Sequence, residues 1–302
     1  MKFKKGILLF ILPAFVIYSG FMLIPLILSM RVSFYEYAGI GEMVFVGLDN
    51  FKKLLFDPLY SERFFNAVGN TFEFFGYTML FQNVTALLLA LALTRGLKLT
   101  ALFRTIIFIP VTLSILMIGF VWRLILNPNI GVLNQFLEKV GLDSLAHAWL
   151  GSEALVLPVI TIVNAWHYTG LMVMLFVAGI QSIPEERFEA ARIDGANSWN
   201  IFRHIIIPPL IPIIGIVTIM TYMGVFNQFD LVYAMVGTTG GPNYGADVLG
   251  TFFYRTAFGG SGGQMPQMGL GAAIATMTFL FIATAVALLF YLNHIRAKGE
   301  AK

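Results

Sequence analysis

Four histidines, sixteen carboxylates and no cysteine are the groups of this 302-residue chain that could do acid–base, nucleophilic or metal chemistry. His147, His167, His204 and His294 lie far apart and show no metal-ligand spacing. Glu185-Glu186 is an adjacent carboxylate pair, but neighbouring helix positions point apart, so it reads as a solvated helix start. The lack of cysteine excludes disulfides and cysteine-based metal or redox sites. No Gly-Lys dipeptide occurs, so the phosphate-binding loop G-x-x-x-x-G-K-[ST] is absent. No catalytic residue and no metal ligand is therefore assigned. What remains is binding chemistry, carried by polar side chains inside apolar stretches. Asn164, Trp166, His167, Tyr168 and Thr169 form one cluster; Thr218, Thr221, Tyr222, Asn227, Gln228 and Asp230 form a second; Gln82 and Asn83 form a third. Aromatic rings beside amides suit sugars, which present apolar ring faces and many hydroxyls. The plainer reading of each is polar glue between helices or an interfacial aromatic belt.

The elements that hold these residues are read from composition. Hydrophobic residues make up 58% of the chain, charged ones 12%, and mean hydropathy is +0.81. Soluble domains carry about 25% charge, so the bilayer is the solvent that fits. Six stretches suffice to cross it, near 8–30, 66–93, 102–125, 155–180, 206–228 and 267–292. Their centres are nearly free of charge, and Glu73 falls near the start of its span. The first stretch follows Lys2, Lys4 and Lys5 like a signal peptide, but its apolar run continues past Pro13 and Pro25 to Met30, so it reads as a retained helix.

Basic residues set the orientation. With the N-terminus inside, the inner segments hold 12 of the 19 Lys and Arg but only 5 of the 16 acids, leaving +7 inside and −4 outside. Both termini are then cytoplasmic. A net charge of +3 is too small to indicate nucleic acid. The outer segments run over roughly 31–65, 126–154 and 229–266. The last is rich in glycine, including Gly237, Gly240, Gly241, Gly245, Gly250, Gly259, Gly260, Gly262 and Gly263; it reads either as a mobile loop or as a docking surface or gate. The chain is expected to be a single domain over 1–302.

One long charged segment lies between two apolar spans, at 184–205, and reads as two short helices. Pro184 with Glu185 and Glu186 suits a first turn. Phe188, Ala191 and Ile193 supply apolar contacts, and Gly195 ends the helix. Asn197 or Ser198 caps a second helix carrying Trp199, Ile201 and Phe202, after which Pro208, Pro209 and Pro212 open the fifth span. Helices this short are marginal alone in water and need a surface, either a partner protein or the membrane interface.

The segment contains Glu189-Ala190-Ala191, three residues, Gly195, nine residues, then Ile205-Ile206-Ile207-Pro208. This pattern resembles the cytoplasmic signature loop of binding-protein-dependent ABC importer permeases. Ile207 replaces the usual leucine before the proline. Asp194-Gly195-Ala196 and Trp199-x-x-Phe202 are similar to the carbohydrate-uptake branch. Leu12-Pro13 through Pro25 to Ser33-Phe34-Tyr35, Gly47-Leu48-Asp49-Asn50-Phe51, Asn70-Thr71, Thr239-Gly240-Gly241-Pro242 and Tyr254-x3-Phe258 extend the resemblance over roughly residues 8–292. The order and spacing are similar to the first permease subunit of the maltose and glycerol-3-phosphate systems.

The resemblance implies an all-α polytopic membrane protein, six transmembrane helices with a cytoplasmic coupling-helix loop, in a prokaryotic inner membrane. It implies a second permease subunit, two ATPase subunits holding ATP and Mg, an extracytoplasmic solute-binding protein and a carbohydrate-type substrate. The chain itself would bind no cofactor. Glu189, Ala190, Ala191, Asp194, Gly195 and Ala196 would couple to the ATPase, with Glu189 as the charged contact. Asn164, Trp166, His167, Tyr168, Tyr222, Asn227, Gln228 and Asp230 would line the substrate pathway. A self-sufficient secondary transporter of a small polar solute is the alternative; it calls for intramembrane charges, of which there are few. A membrane scaffold is a third reading, disfavoured by the ordered loop and the polar spans.

Overall fold

The structure is a computed structural model that describes residues 5–95, 98–260 and 265–300, with side chains described between 10 and 291. Lys2, Lys4, Lys302, Gly262 and Gly263 lie outside the described residues, as do the side chains of Lys5, His294, Arg296 and Lys298. In chain order the main elements are α1 (Phe10–Val32), β1 (Tyr35–Glu36), β2 (Val44–Phe45), α2 (Asp49–Phe56), α3 (Pro58–Leu93), α4 (Thr100–Phe108), α5 (Ile115–Ile125), α6 (Val132–Lys139), α7 (Glu153–Gln181), α8 (Glu185–Ile193), α9 (Ser198–Phe226), α10 (Asp230–Val236), α11 (Leu249–Phe258) and α12 (Met268–Glu300). Five helices (α1, α3, α7, α9 and α12) are each long and apolar enough to span a bilayer, and α4 with α5 makes a sixth, broken span.

The break is the main departure from six simple spans. Pro110 has no N–H to continue α4, which tightens into a 3₁₀ turn over Ile109–Thr112. Leu113 and Ser114 are extended, and α5 leaves at 97° to the preceding helix. A second departure concerns the fifth span. It begins at Ser198, not near residue 206, so the second short helix of the charged segment is its first turn. A π turn over Phe202–Ile206 lies immediately ahead of Pro208 and Pro209. Its wider winding accommodates the turn that proline rings crowd and the hydrogen bonds they cannot make.

Contacts divide the chain into two compact units. One comprises residues up to Phe64 with Phe252–Phe281. Within it, α1 buries nothing, as befits a helix whose solvent is lipid or a neighbouring subunit. The strands pair antiparallel, Tyr35 opposite Phe45 and Glu36 opposite Val44. The Asn50 side chain fixes the hairpin's base by donating to the carbonyls of Ser33 and Tyr35, both at 2.9 Å. Gly269 donates to the Tyr37 carbonyl at 3.0 Å. A Cβ on Gly269 would sit 2.0 Å from the Tyr35 carbonyl, so only glycine lets α12 come this close.

The other unit comprises Phe65–Thr251 with Ile282–Lys302. Here the glycine-rich outer segment, as far as Thr251, is held in place. Its α10 packs on α5, with Leu231, Val232 and Met235 buried. A Cβ on Gly119 would lie 2.5 Å from that of Ala234, so the two helices meet backbone to backbone. The bend in the third span opens the space that α10 fills, which explains a run as apolar as Leu231-Val232-Tyr233-Ala234-Met235-Val236 outside a full-length span. Asn70 clamps the rest of the segment by donating to the carbonyls of Tyr244 (2.9 Å) and Asp247 (3.0 Å), while the Thr71 hydroxyl accepts from the Leu249 N–H. Deeper in this unit, α7 lies against the end of α3 and against α9 through Ala86, Ala90, Val173, Val177, Leu210 and Val217.

Candidate functional site

Two candidate sites lie in this second unit, one exposed and one buried. The exposed site is the charged segment. Its first helix, α8, ends in a closed turn whose geometry accounts for the motif spacing. Asp194 is the C-cap, and Gly195 follows at φ +73°. The Ala196 N–H reaches back to the Ala191 carbonyl at 2.9 Å and the Gly195 N–H to the Arg192 carbonyl at 3.1 Å. These are the paired bonds of a Schellman motif, which satisfies carbonyls the helix end leaves free. The three residues between Ala191 and Gly195 are the length of that closure. A Cβ at Gly195 would meet nothing within 4 Å, so backbone conformation alone requires glycine there. The next helix starts on Asn197, whose side chain accepts from the Asn200 N–H at 2.8 Å.

Glu189, Ala190, Asp194 and Gly195 are exposed, Ala196 is half-buried and Ala191 is buried. Of the residues read as supplying apolar contacts, Ile193 is 86% exposed, and Trp199 on the next helix is 62% exposed. The helix end turns Ile193 outward, leaving a small apolar surface beside the Glu189 carboxylate.

The buried site is a cavity of about 190 Å³ lined by Thr78, Gln82, Asn164, Tyr168, Thr221 and Gln228 among apolar neighbours. The Gln228 amide donates to Asn164 Oδ1 at 3.1 Å, linking the end of α9 to the middle of α7. On the opposite wall, Asn83 exchanges hydrogen bonds with Thr221 and accepts from Gln82 at 3.2 Å. Gln82 and Asn83 sit on a π turn over Met79–Val84, a local widening of α3 that is frequent at functional sites. Gln82 Oε1 and the Thr78 hydroxyl are buried without a hydrogen-bond partner.

The structure thus brings Asn164, Tyr168 and Gln228 together and places the remaining expected pathway residues elsewhere. Trp166 faces outward, edge-on to Trp122 at 5.7 Å. His167 is 3% exposed, its ring 4.3 Å from that of Tyr168, and it lies beside the backbone of Pro110 and Leu113 at the break. Tyr222 stacks on Phe226 at 4.1 Å. Asn227 is exposed and donates to the Met223 carbonyl. Asp230 is exposed in the first turn of α10, where a carboxylate favours the helix start. Thr78 and Gly224 escaped the sequence reading. Gly224 was legible in principle, being one turn before Gln228 and so on the same face. Among the described residues no group of His, Asp or Glu side chains is arranged to hold a metal.

A mainly helical chain with a broken third span, a closed exposed turn and a buried polar cavity is the architecture of a membrane transport subunit. Residues 82–295 match the family described as binding-protein-dependent transport system inner membrane component, and the chain belongs to it. It is accordingly a multi-pass permease subunit of an ABC importer in the inner membrane. It is 35% identical over 284 residues to the probable ABC transporter permease protein YurN of Bacillus subtilis, covering 93% of each chain. It is 32% identical to the lactose transport system permease protein LacF of Rhizobium radiobacter, covering 94% of this chain and 92% of that one. Its fold is similar to that of a chain in a bacterial ABC transporter involved in the import of the acidic polysaccharide alginate, with TM-score 0.79 and 23% identity over 97% of this chain and 96% of that chain.

Proposed function

We propose that this permease moves a neutral carbohydrate or polyol, and that the polar cavity between α3, α7 and α9 is a station on its path. The carrying observation is the pairing of amides and hydroxyls with two buried, unpartnered groups, Gln82 Oε1 and Thr78 Oγ1. A buried polar group without a partner costs about 1–3 kcal/mol, and a polyhydroxyl solute supplies the missing partners as it passes. No charged side chain lines the cavity, which suits a neutral solute rather than an ion. The names of relatives point the same way, since several are permeases for lactose, for starch degradation products or for arabinooligosaccharides.

The exposed turn is the coupling element. Glu189, Ala190, Ala191, Asp194, Gly195 and Ala196 present a rigid corner to a cleft on an ATPase subunit, and exposed Ile193 and Trp199 bury there. A second permease subunit completes the pathway, a solute-binding protein delivers substrate outside, and both termini face the cytoplasm with the basic segments. ATP and Mg sit on the partner subunits. Nucleotide-driven closure moves the turn, and the broken third span gives the fold a place where helix segments can pivot between two packings.

Transport into proteoliposomes containing the chain with its co-purified subunits tests this reading. Uptake of a labelled oligosaccharide or polyol is expected only when ATP is present on the side of the ATPase. Uptake by the chain alone, driven by a sodium or proton gradient without ATP, would establish the secondary transporter instead.

A further inference from the structure

Besides the polar cavity there is a larger open groove of about 330 Å³, lined by Arg104, Thr105, Phe108, Ile109 and Thr112 on one face of α4 and its 3₁₀ turn, and by Met174 of α7. Its polar inventory is short. The Thr105 hydroxyl is committed to the Ala101 carbonyl at 3.0 Å and the Thr112 hydroxyl to the Ile109 carbonyl at 2.7 Å. The one donor side chain left uncommitted is Arg104. Its Nε is buried in the protein without a hydrogen-bond partner, and among the described residues no carboxylate pairs with its guanidinium. Arg104 lies one turn into α4, about 6 Å from the helix start at 1.5 Å per residue. With the membrane boundary taken at the start of α4, that depth falls in the headgroup layer, close in sequence to Arg95 and Lys98. From there the groove runs about 12 Å along Phe108 and Ile109 to Thr112, into the hydrocarbon depth.

A cation at headgroup level at the mouth of an apolar groove between two spans is complementary to an amphiphile with an anionic head. We propose that this groove holds one acidic phospholipid of the adjacent leaflet, its phosphate on Arg104 and an acyl chain along Phe108, Ile109 and Met174. Guanidinium presents forked N–H donors matched to phosphate oxygens, and basic pockets between transmembrane helices bind anionic headgroups by this chemistry. A sugar fits poorly here, because its hydroxyls, spread around the ring, would meet a single uncommitted polar side chain at one end of an otherwise apolar lining. The lipid would also bridge α7 and the segment just before the 97° break, and so would load the third span where it bends.

The test is native mass spectrometry of the chain purified with its accompanying subunits, after exchange into detergent containing equal phosphatidylglycerol and phosphatidylcholine. Wild type is expected to retain phosphatidylglycerol selectively, Arg104→Lys to keep part of it through charge without the fork, and Arg104→Gln to lose it at least about fivefold. Ile109→Trp, which keeps the charge and fills the groove, is expected to lose it as well, and covers the case in which Arg104→Gln fails to assemble. Millimolar inorganic phosphate should not displace the lipid. Equal retention in Arg104→Gln and Ile109→Trp, no retention in wild type because another subunit covers the groove, or displacement by free phosphate would each overturn the proposal.

Discussion

Gly195 and Gly170 are both indispensable, for opposite reasons. Gly195 closes the exposed turn: a side chain there would have open space around it, but the backbone stands at φ +73°. Gly170, in the middle of α7, has ordinary helical geometry and no space. A Cβ there would lie 2.3 Å from the Ile107 carbonyl and 2.9 Å from the Phe108 Cα, both backbone atoms that cannot step aside. One glycine serves the shape of its own chain, and the other serves a neighbour that arrives from 60 residues away. The exposed turn is therefore built from local sequence, whereas the frame behind it is built from contacts between distant segments.

The comparison breaks most visibly at Gly170. Gly170→Leu must push α4 away from α7, and overpacking against backbone costs about 1–3 kcal/mol or more. The expected outcome is loss of monodisperse protein in detergent at normal expression. A folded variant with unchanged melting temperature would show that the two helices can separate freely. Gly195→Asp should do the reverse. A left-handed residue other than glycine costs roughly 1–2 kcal/mol, which loosens the turn while leaving the spans untouched. Normal insertion with uptake reduced at least about tenfold is expected, and Gly195→Asn should recover much of it because asparagine is the commoner substitute for glycine at a helix end and adds no negative charge to the helix C-terminus. Normal substrate-stimulated ATPase activity in Gly195→Asp would remove the turn from the coupling mechanism.

Between these extremes lies the amide pair in the cavity. Gln228→Leu strands the Asn164 carbonyl oxygen, and a stranded buried acceptor costs about 1–3 kcal/mol, on the order of a tenfold rise in the substrate concentration for half-maximal uptake. Asn164→Leu with Gln228→Leu should cost less than the two single effects added together, because either change alone already breaks the bond. Strict additivity of the two would mean that the pair does not act as a unit on the substrate.

What was legible in the sequence follows the same division. The turn could be read because its logic is contained in the stretch from Ala191 to Asn197: carbonyls at Ala191 and Arg192, a cap at Asp194, a left-handed glycine and the Asn197 cap beyond. The spans could be read because apolar length is additive. Ile193 reads as an apolar contact without a direction, because so short a helix does not reveal which face meets the rest of the chain, and the structure leaves it exposed. The break at Leu113–Ser114 was hidden because Pro110 alone predicts a kink of unknown size, and the 97° angle depends on α10 filling the space beneath α5. The same holds for the glycine-rich outer segment. Asn70 and Thr71 sit over 170 residues from the carbonyls and amide they engage, so no local pattern marks that segment as held in place. The cavity was half legible: polar residues inside spans stood out, but which of them face each other depends on the π turn at Met79–Val84 and on the rotation of α7.

The smallest effect should come from Glu189, and it sharpens the comparison most. Glu189 is exposed on α8 and forms no ion pair within the chain among the described residues, so its carboxylate does nothing for the fold. Glu189→Gln keeps the size of the side chain and removes the charge. A solvent-exposed ion pair across the coupling interface contributes about 0.2–1 kcal/mol, which corresponds to a decrease of a few-fold in uptake. Stability should be unchanged, in contrast to Gly170→Leu, and the turn should stay closed, in contrast to Gly195→Asp. Charge pairing at a surface is screened within about 8 Å at physiological ionic strength. Wild-type transport should therefore fall toward the variant's rate as salt is raised, while the variant's own rate stays flat. Parallel salt dependence in the two proteins would show that Glu189 carries no coupling charge, and would leave the contact to the apolar surface of Ile193 and Trp199.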